Sequence, residues 1–157
     1  MSERNSAMPM PRRVRSAGVV IVRRYNGCDV LFLVLRAFGH WDFPKGLVEA
    51  DEKEIETAKR EAAEEAGVND LRFAWGDCFI DTEPYDRGRK VARYFIAETR
   101  KSEITLPISV ELGRPEHDEW RWATFEEAQE LFKPRLRRVL LWADQVIRKT
   151  GNGDGSS

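Results

Sequence analysis

Residues 46 to 68 read GLVEADEKEIETAKREAAEEAGV. It holds eight carboxylates against three cations, an excess of five negative charges in a chain whose net charge is −1. Asp51 followed by Glu54 has the spacing of a helix-capping pair, and Gly67 suits the left-handed position that ends a helix. The sequence therefore predicts a strongly acidic helix with both ends marked.

One face of this helix concentrates negative charge beside an apolar stripe. Successive helical residues rotate by about 100°, which gathers the stripe on one side: Ile55, Ala58, Ala62 and Ala66. Glu61 and Glu65 lie at its edge, with Glu64 further round. Like charges four residues apart destabilise a helix, and a hard divalent cation such as Mg²⁺ would offset that repulsion. The alternative is a solvated helix laced with ion pairs, and the residues alone leave both interpretations open.

The spacing of the stretch resembles the signature of the Nudix hydrolases at every defined position. The matching pattern is Gly46, five residues, Glu52, seven residues, Arg60-Glu61-Ala62, one residue, Glu64-Glu65, one residue, Gly67-Val68. The resemblance implies an α/β/α sandwich with a mixed central sheet and a catalytic loop–helix–loop. It also implies metal-dependent hydrolysis of a nucleoside diphosphate linked to another group. It covers roughly residues 15–147.

The resemblance also assigns roles to the residues of the signature. One to three Mg²⁺ or Mn²⁺ ions are expected, and their expected ligands are Gly46, Glu52, Glu61, Glu64 and Glu65. The backbone carbonyl of Gly46 or Lys45 would contribute, and Glu52 would be an outer-shell or additional ligand. Arg60 is expected to pair with a carboxylate and orient it, pointing away from the metal face.

A second motif precedes the signature and narrows the resemblance. The residues from His40 to Gly46 read HWDFPKG, and Trp-x-Phe-Pro-Lys-Gly is similar to the asymmetrical dinucleoside tetraphosphate hydrolases. Related wording occurs in RNA-decapping and RNA-pyrophosphohydrolase members of the family. By this resemblance His40 would contact substrate and Lys45 would neutralise phosphate oxygens. An exposed loop lysine is the alternative for Lys45.

Further substrate-binding residues are expected outside both motifs. Lys90, followed four residues later by Tyr94-Phe95, resembles a subfamily pattern in which the lysine meets phosphate. Tyr85 would stack on a base, as aromatic side chains do with nucleotides. Phe132 is a candidate base-stacking wall, with burial in the core as the alternative.

An acidic residue outside the signature is expected to reach the metals or the attacking water. The stretch PEHDEWRW begins at residue 115 and resembles the loop and strand that carry this residue in the subfamily. Glu116 is the candidate, with Asp118 and Glu119 as substitutes and a merely solvated loop as the alternative. The general base is left open between Glu61 and Glu116.

The rest of the chain fits one α/β domain. Runs of β-branched and aromatic residues predict strands near residues 16–24, 29–36, 68–84 and 91–99, and helical spacing predicts helices near 124–132 and 135–148. We expect a flexible N-terminal arm over residues 1–14, the Nudix domain over 15–148 and a flexible tail over 149–157.

Composition narrows the environment and the partners. The chain has 157 residues, 41 % hydrophobic and 34 % charged, which is ordinary for a globular domain. Cys28 and Cys78 are isolated, which argues against a disulfide or a zinc site. We found no apolar run long enough to span a membrane and no signal peptide, so we expect a cytoplasmic protein. The net charge is near zero, so we expect no stable nucleic-acid partner. The sequence leaves the oligomeric state open.

Three functions compete at this stage. The first is hydrolysis of dinucleoside polyphosphates, for example of diadenosine tetraphosphate to ATP and AMP. The second keeps the chemistry and changes the substrate to RNA 5′ ends, nucleoside triphosphates or nucleotide sugars. The third is a catalytically silent nucleotide sensor, which the intact signature disfavours.

Overall fold

The computed structural model describes residues 13–155 with the exception of Cys28, and it leaves the side chains of residues 151–155 undescribed. The expectations for Cys28 and for most of the N-terminal arm lie outside these residues, and the division of the chain at 15 and 148 stays a prediction. The elements in chain order are β1 (Val14–Asn26), β2 (Asp29–Ala37), β3 (His40–Asp42), β4 (Lys45–Leu47), α1 (Glu54–Ala66), β5 (Ile80–Asp81), β6 (Lys90–Glu98), β7 (Glu119–Ala123), α2 (Phe125–Leu131) and α3 (Pro134–Gly155).

The strands form one mixed sheet around β1. Its main order is β3-β2-β1-β6-β5, with β7 added to β2 and β4 added to β1. The pair β1–β6 is parallel, and the other pairs are antiparallel. On one side, β1 pairs with β6 along most of its length; on the other, its first half pairs with β4 and its second half with β2. The strand β1 therefore ties the short β4 directly to the centre of the sheet.

Helices cover both faces of the sheet, which confirms the expected α/β/α sandwich. Side chains alternate along β1, so that Val20 and Val22 pack beneath α2 and α3 while Val19 and Ile21 pack beneath α1. This alternation explains why β1 reads as a continuous apolar run, since a strand buried on both faces has no polar side. The apolar stripe of α1 is fully buried at Ala58, as expected.

The acidic helix begins later than the predicted cap. The helix α1 starts at Glu54 after Lys53, whose backbone N–H donates to the Glu56 carboxylate over 3.0 Å. Asp51 adopts a left-handed conformation (φ 66°) in the preceding turn, so the predicted Asp51–Glu54 capping pair is wrong. The other end is as predicted, because Gly67 is left-handed (φ 67°) and its N–H bonds back into the last turn of the helix.

The long strand expected over residues 68–84 is also wrong. Only Ile80–Asp81 forms a strand, with an isolated bridge between Arg72 and Glu98. Between them the chain turns at Gly76, whose left-handed backbone (φ 72°) is incompatible with a continuous ladder. At the other end of the domain, α3 continues beyond Arg148 to Gly155. In the described part of the chain, no helix is both long and apolar enough to cross a membrane.

Candidate active site

The helix α1 approaches the strand β4 closely, and two glycines permit it. A Cβ atom at Gly46 would overlap the carboxylate of Glu61. Gly18 in β1 pairs with Lys45, and a side chain there would overlap the Pro44 carbonyl and the Lys45 Cβ atom. Because neither glycine has a side chain, the backbone of β4 can lie against the carboxylate of Glu61, one of the predicted metal ligands.

Glu65 is the buried centre of the acidic face. It is 5 % exposed, and its Oε1 accepts a 3.3 Å hydrogen bond from the backbone N–H of Lys45. Burial, reinforced by the neighbouring carboxyl groups of Glu116 and Glu61, raises the pKa of Glu65 to about 11. Burial likewise raises the pKa of Glu61. Both groups are costly to ionise in the metal-free protein, and a bound divalent cation would remove that cost.

Three side chains from two distant parts of the chain converge at Glu65. One ligand atom each from Glu65, Glu116 and His117 lie within 4.8 Å of one another, and His117 Nε2 is 3.9 Å from Glu65 Oε1. Burial lowers the pKa of the His117 imidazole, which leaves it neutral at pH 7. Carboxylates and neutral imidazole are metal ligands in proteins, so this donor set fits a divalent cation. The sequence predicted Glu65 and Glu116 but missed His117, although its place beside Glu116 was a usable signal.

Arg60 holds together the carboxylates on the outer side of α1. Its Nη1 donates to Glu61 Oε2 over 2.8 Å and to Glu64 Oε1 over 3.3 Å, and its Nη2 donates to the backbone carbonyl of Leu47 over 3.0 Å. The expected pairing with a carboxylate is thus present. The expectation that Arg60 points away from the metal face is wrong, because its guanidinium lies against two of the predicted ligands.

Glu52 lies behind Arg60. Its two oxygens accept 2.8 Å and 3.0 Å bonds from the Arg60 guanidinium, and Oε1 also accepts from the Thr57 hydroxyl and the Glu49 backbone N–H. These hydrogen bonds, with that of Arg60 the largest, lower the pKa of Glu52 to about 2. Of the two roles expected for Glu52, the geometry favours the outer-shell one, since its lone pairs are already engaged in positioning Arg60.

Lys45 is held at the edge of the acidic cluster by a buried network. Its Nζ lies 3.7 Å from Asp42 Oδ2, and Asp42 Oδ1 accepts a 2.9 Å hydrogen bond from the hydroxyl of Tyr94. Tyr94 is fully buried. Lys45 therefore lies between the carboxylates and Asp42, which lines the neighbouring cavity, and its role at phosphate stays a prediction.

A cavity of about 570 Å³ opens next to this network. Its lining residues are Gly39, His40, Trp41, Asp42, Tyr85, Asp86, Leu131, Lys133, Arg135 and Leu136. The guanidinium of Arg135 lies 4.0 Å from the centre of the Tyr85 ring. The predicted substrate residues His40 and Tyr85 are thus brought together in a space of the size that small-molecule sites occupy. Lys133 and Arg135 were not predicted, because Lys133 lies between the two expected helices and Arg135 was assigned only to the closing helix.

Two other predicted substrate residues are placed differently. Phe132 is 1 % exposed and packs edge-on against Phe43, with ring centres 4.9 Å apart. Its assignment as a base-stacking wall is therefore corrected to a core residue, since neither face of the ring is open. Lys90 is exposed at the start of β6, with its Nζ 3.7 Å from Asp86, which lines the cavity. Lys90 thus lies beside a residue of the cavity without lining it, and its contact with phosphate stays a prediction.

Comparison with known proteins agrees with this geometry. A family model described as "NUDIX domain" matches residues 12–143, which is most of the chain. The chain belongs to the Nudix family. Among curated Nudix relatives, the asymmetrical bis(5′-nucleosyl)-tetraphosphatase of Sus scrofa is 31 % identical over 139 residues, covering 82 % of this chain and 90 % of the relative. An RNA pyrophosphohydrolase of Shewanella pealeana is 28 % identical over 150 residues, covering 85 % and 79 %.

A solved structure shows the same architecture. The Ap4A hydrolase of C. elegans, crystallised as a binary complex, superposes with a TM-score of 0.71 at 26 % identity, covering 89 % of this chain and 98 % of that one. The chain is therefore a Nudix pyrophosphohydrolase, and the acidic face of α1 is its predicted metal site. The two curated relatives named above act on different classes of substrate, as their names state.

Proposed function

We propose that this protein hydrolyses a phosphoanhydride bond of dinucleoside polyphosphates, for example releasing ATP and AMP from diadenosine tetraphosphate. The observation that carries the proposal is the position of the aromatic and cationic cavity beside the carboxylate cluster, joined to it by Asp42 and Lys45. A polyphosphate with a base at its end needs both parts. The tetraphosphatase relatives support the same choice.

The carboxylate cluster would hold Mg²⁺ or Mn²⁺. The proposed ligands are Glu61, Glu64 and Glu65, with Glu116, His117 and the backbone of Gly46 around them. Bound there, one to three such ions would neutralise phosphate oxygens and acidify the attacking water. Phosphoanhydride cleavage depends mainly on positioning and charge stabilisation, and the fixed backbone of β4 supplies the positioning.

The protein's own side chains would do the rest. Arg60 orients Glu61 and Glu64 through its guanidinium, and Lys45 would pair with a phosphate oxygen of the chain. Between the two candidates for general base, Glu61 is bonded to Arg60 and buried against Gly46, while Glu116 is exposed at the cluster. We therefore assign the proton of the attacking water to Glu116. Tyr85 and His40 would contact the nucleoside in the cavity.

The test is a substrate panel with purified protein and Mg²⁺, with products separated by chromatography. The panel contains dinucleoside polyphosphates, nucleotide sugars, nucleoside triphosphates and 5′-triphosphorylated RNA. Fastest turnover of diadenosine tetraphosphate, with ATP and AMP as products, is expected. Two ADP molecules as products would contradict the asymmetrical register.

The second candidate is RNA 5′-end hydrolysis, favoured by the match to RNA pyrophosphohydrolases over most of the chain. Pyrophosphate release from RNA without turnover of the dinucleotide would select this candidate. If no member of the panel were turned over with Mg²⁺ or Mn²⁺, both candidates would be contradicted, and the silent nucleotide sensor would become the favoured alternative.

A further inference from the structure

A second cavity borders the carboxylate cluster at Glu64 and Glu116. It has a volume of about 380 Å³ and is formed by Glu64 of α1, Glu116 and the segment from Pro107 to Glu111. Glu116 also belongs to the cluster with Glu65 and His117. The cluster therefore has this cavity beside Glu116, and it is linked to the Tyr85–Arg135 cavity through Lys45 and Asp42.

The walls of this second cavity are preformed. The turn that carries them is closed by a bridge between Ile108 and Pro115 and by a 2.9 Å bond from the Ser109 backbone N–H to the Arg114 carbonyl. At the base of the turn, Ile104 is buried in the core beneath α1. Ile108 and Val110 are nevertheless 70 % and 99 % exposed. Two large apolar side chains thus project from a hydrogen-bonded turn beside the carboxylates, without contributing to the core.

The two cavities differ in charge. The first is lined by two cations, Lys133 and Arg135, by two carboxylates, Asp42 and Asp86, and by His40. The described residues that line the second include three carboxylates, Glu64, Glu111 and Glu116, and no Lys, Arg or His. Glu64 is paired with Arg60 and Glu116 belongs to the carboxylate cluster, but no lining cation balances Glu111. A phosphate group would be repelled there, whereas an uncharged sugar and base could donate hydroxyl groups to a carboxylate and pack on the apolar side chains.

We propose that the cavity formed by Ile108, Val110 and Glu111 binds the second nucleoside of a dinucleoside polyphosphate, the one released as the monophosphate. The inference rests on the proposed function. The Tyr85–Arg135 cavity holds the nucleotide with the longer phosphate chain, because two cations line it, whereas no cation lines the second cavity. The acidic cavity takes the nucleoside that is separated from the cleaved bond by a single phosphate. The difference in charge between the two cavities would thereby determine on which side of the metal site the longer part of the phosphate chain binds, even when the two ends of the substrate are identical.

Two substrates that differ only in the second nucleoside test this assignment. Diadenosine tetraphosphate and adenosine 5′-tetraphosphate share one nucleoside and four phosphates, and the same register of cleavage releases ATP from both. Replacing both Ile108 and Val110 by Ala should raise the KM for the dinucleotide on the order of tenfold, because apolar contact area is lost. The KM for adenosine tetraphosphate and the kcat for both substrates should stay unchanged.

A matched control and an opposite substitution sharpen the result. Leu112→Ala removes another exposed apolar side chain of the same turn that does not line the cavity, and it should leave both substrates unaffected. Glu111→Lys should lower the KM for adenosine tetraphosphate, because the new cation would attract its terminal phosphate. The four substituted side chains (Ile108, Val110, Glu111 and Leu112) are exposed, so these substitutions should not unfold the protein.

The outcomes separate the inference from the function on which it rests. If the Ile108→Ala, Val110→Ala double variant changes neither KM, or both equally, while the unaltered protein still cleaves both tetraphosphates, only the second-nucleoside site is refuted. If the unaltered protein cleaves neither tetraphosphate with Mg²⁺, the proposed function fails, and the assignment of this cavity fails with it.

Discussion

The raised pKa of Glu65 makes the metal-free protein lose stability as pH rises, and Glu65→Gln should remove much of that loss. In the folded protein Glu65 keeps its proton up to a pKa of about 11, while an unfolded chain releases it near its ordinary value of 4.5. The folded state therefore binds one more proton than the unfolded state between these limits. Stability falls across the interval by about 1.4 kcal/mol for each pH unit.

Between about pH 7 and about pH 8.5, Glu65 should account for a loss of about 2 kcal/mol. His117 contributes little there, because its pKa is lowered in the folded state and an unfolded histidine, with its ordinary value of 6.5, is already mostly neutral. Glu52, whose pKa is lowered to about 2, is ionised in both states. Glutamine has no proton to lose, so the variant should be more stable than the unaltered protein, by a margin that widens as pH rises.

The measurement is urea unfolding followed by tryptophan fluorescence at both pH values, with a chelator present. Glu64→Gln is the matched control, since it makes the same substitution one residue away on a carboxylate whose side chain is 57 % exposed. The control should keep the pH dependence of the unaltered protein. If Glu65→Gln also kept that dependence, then Glu65 would be ionised in the metal-free fold, and the argument from burial would be refuted.

Three further predictions concern activity. Glu65→Gln should lower turnover on the order of 10²-fold or more, through loss of charge at the metal site, and near-normal turnover at saturating Mg²⁺ would contradict its assignment as a ligand. Lys45→Ala and Lys90→Ala should each impair cleavage of a tetraphosphate-bridged dinucleotide more than that of a triphosphate-bridged one; equal losses in steady-state assays would show that these lysines do not bind the phosphate chain. Hydrolysis of diadenosine tetraphosphate in ¹⁸O-labelled water should place the label in AMP, as read by mass spectrometry, whereas label in ATP would reverse the site of attack.

The sequence predicted best what depends on local periodicity. The acidic face of α1 and its end at Gly67 follow from helical spacing and glycine's tolerance of the left-handed region. The alternation that buries both faces of β1 follows from the same kind of local reasoning. The prediction was wrong at the start of α1. There the Lys53 N–H donates to the Glu56 carboxylate, and the helix begins after Lys53 instead of at the predicted Asp51–Glu54 pair.

What the sequence did not predict depends on contacts between distant segments. His117 reaches Glu65 only because β7 pairs with β2, which brings the preceding loop over α1. Phe132 was a plausible stacking residue until its packing against Phe43 was known. Arg135 lines the cavity beside Tyr85, which lies 50 residues earlier in the chain and whose ring contacts its guanidinium. Periodicity cannot show which of several aromatic or basic side chains will share a cavity.

Substitutions at Gly18 should impair the active site even though this residue is not part of it. It is an uncharged residue in the middle of β1, with no atom that could take part in chemistry, yet any side chain there would displace Pro44 and Lys45. A substitution at Gly18 would therefore shift the lysine and the backbone N–H that bonds Glu65 while the remaining sheet partners of β1 keep their register. In a genetic screen such an allele would resemble a catalytic lesion. Activity in this fold thus depends on a residue that has no reactive side chain of its own.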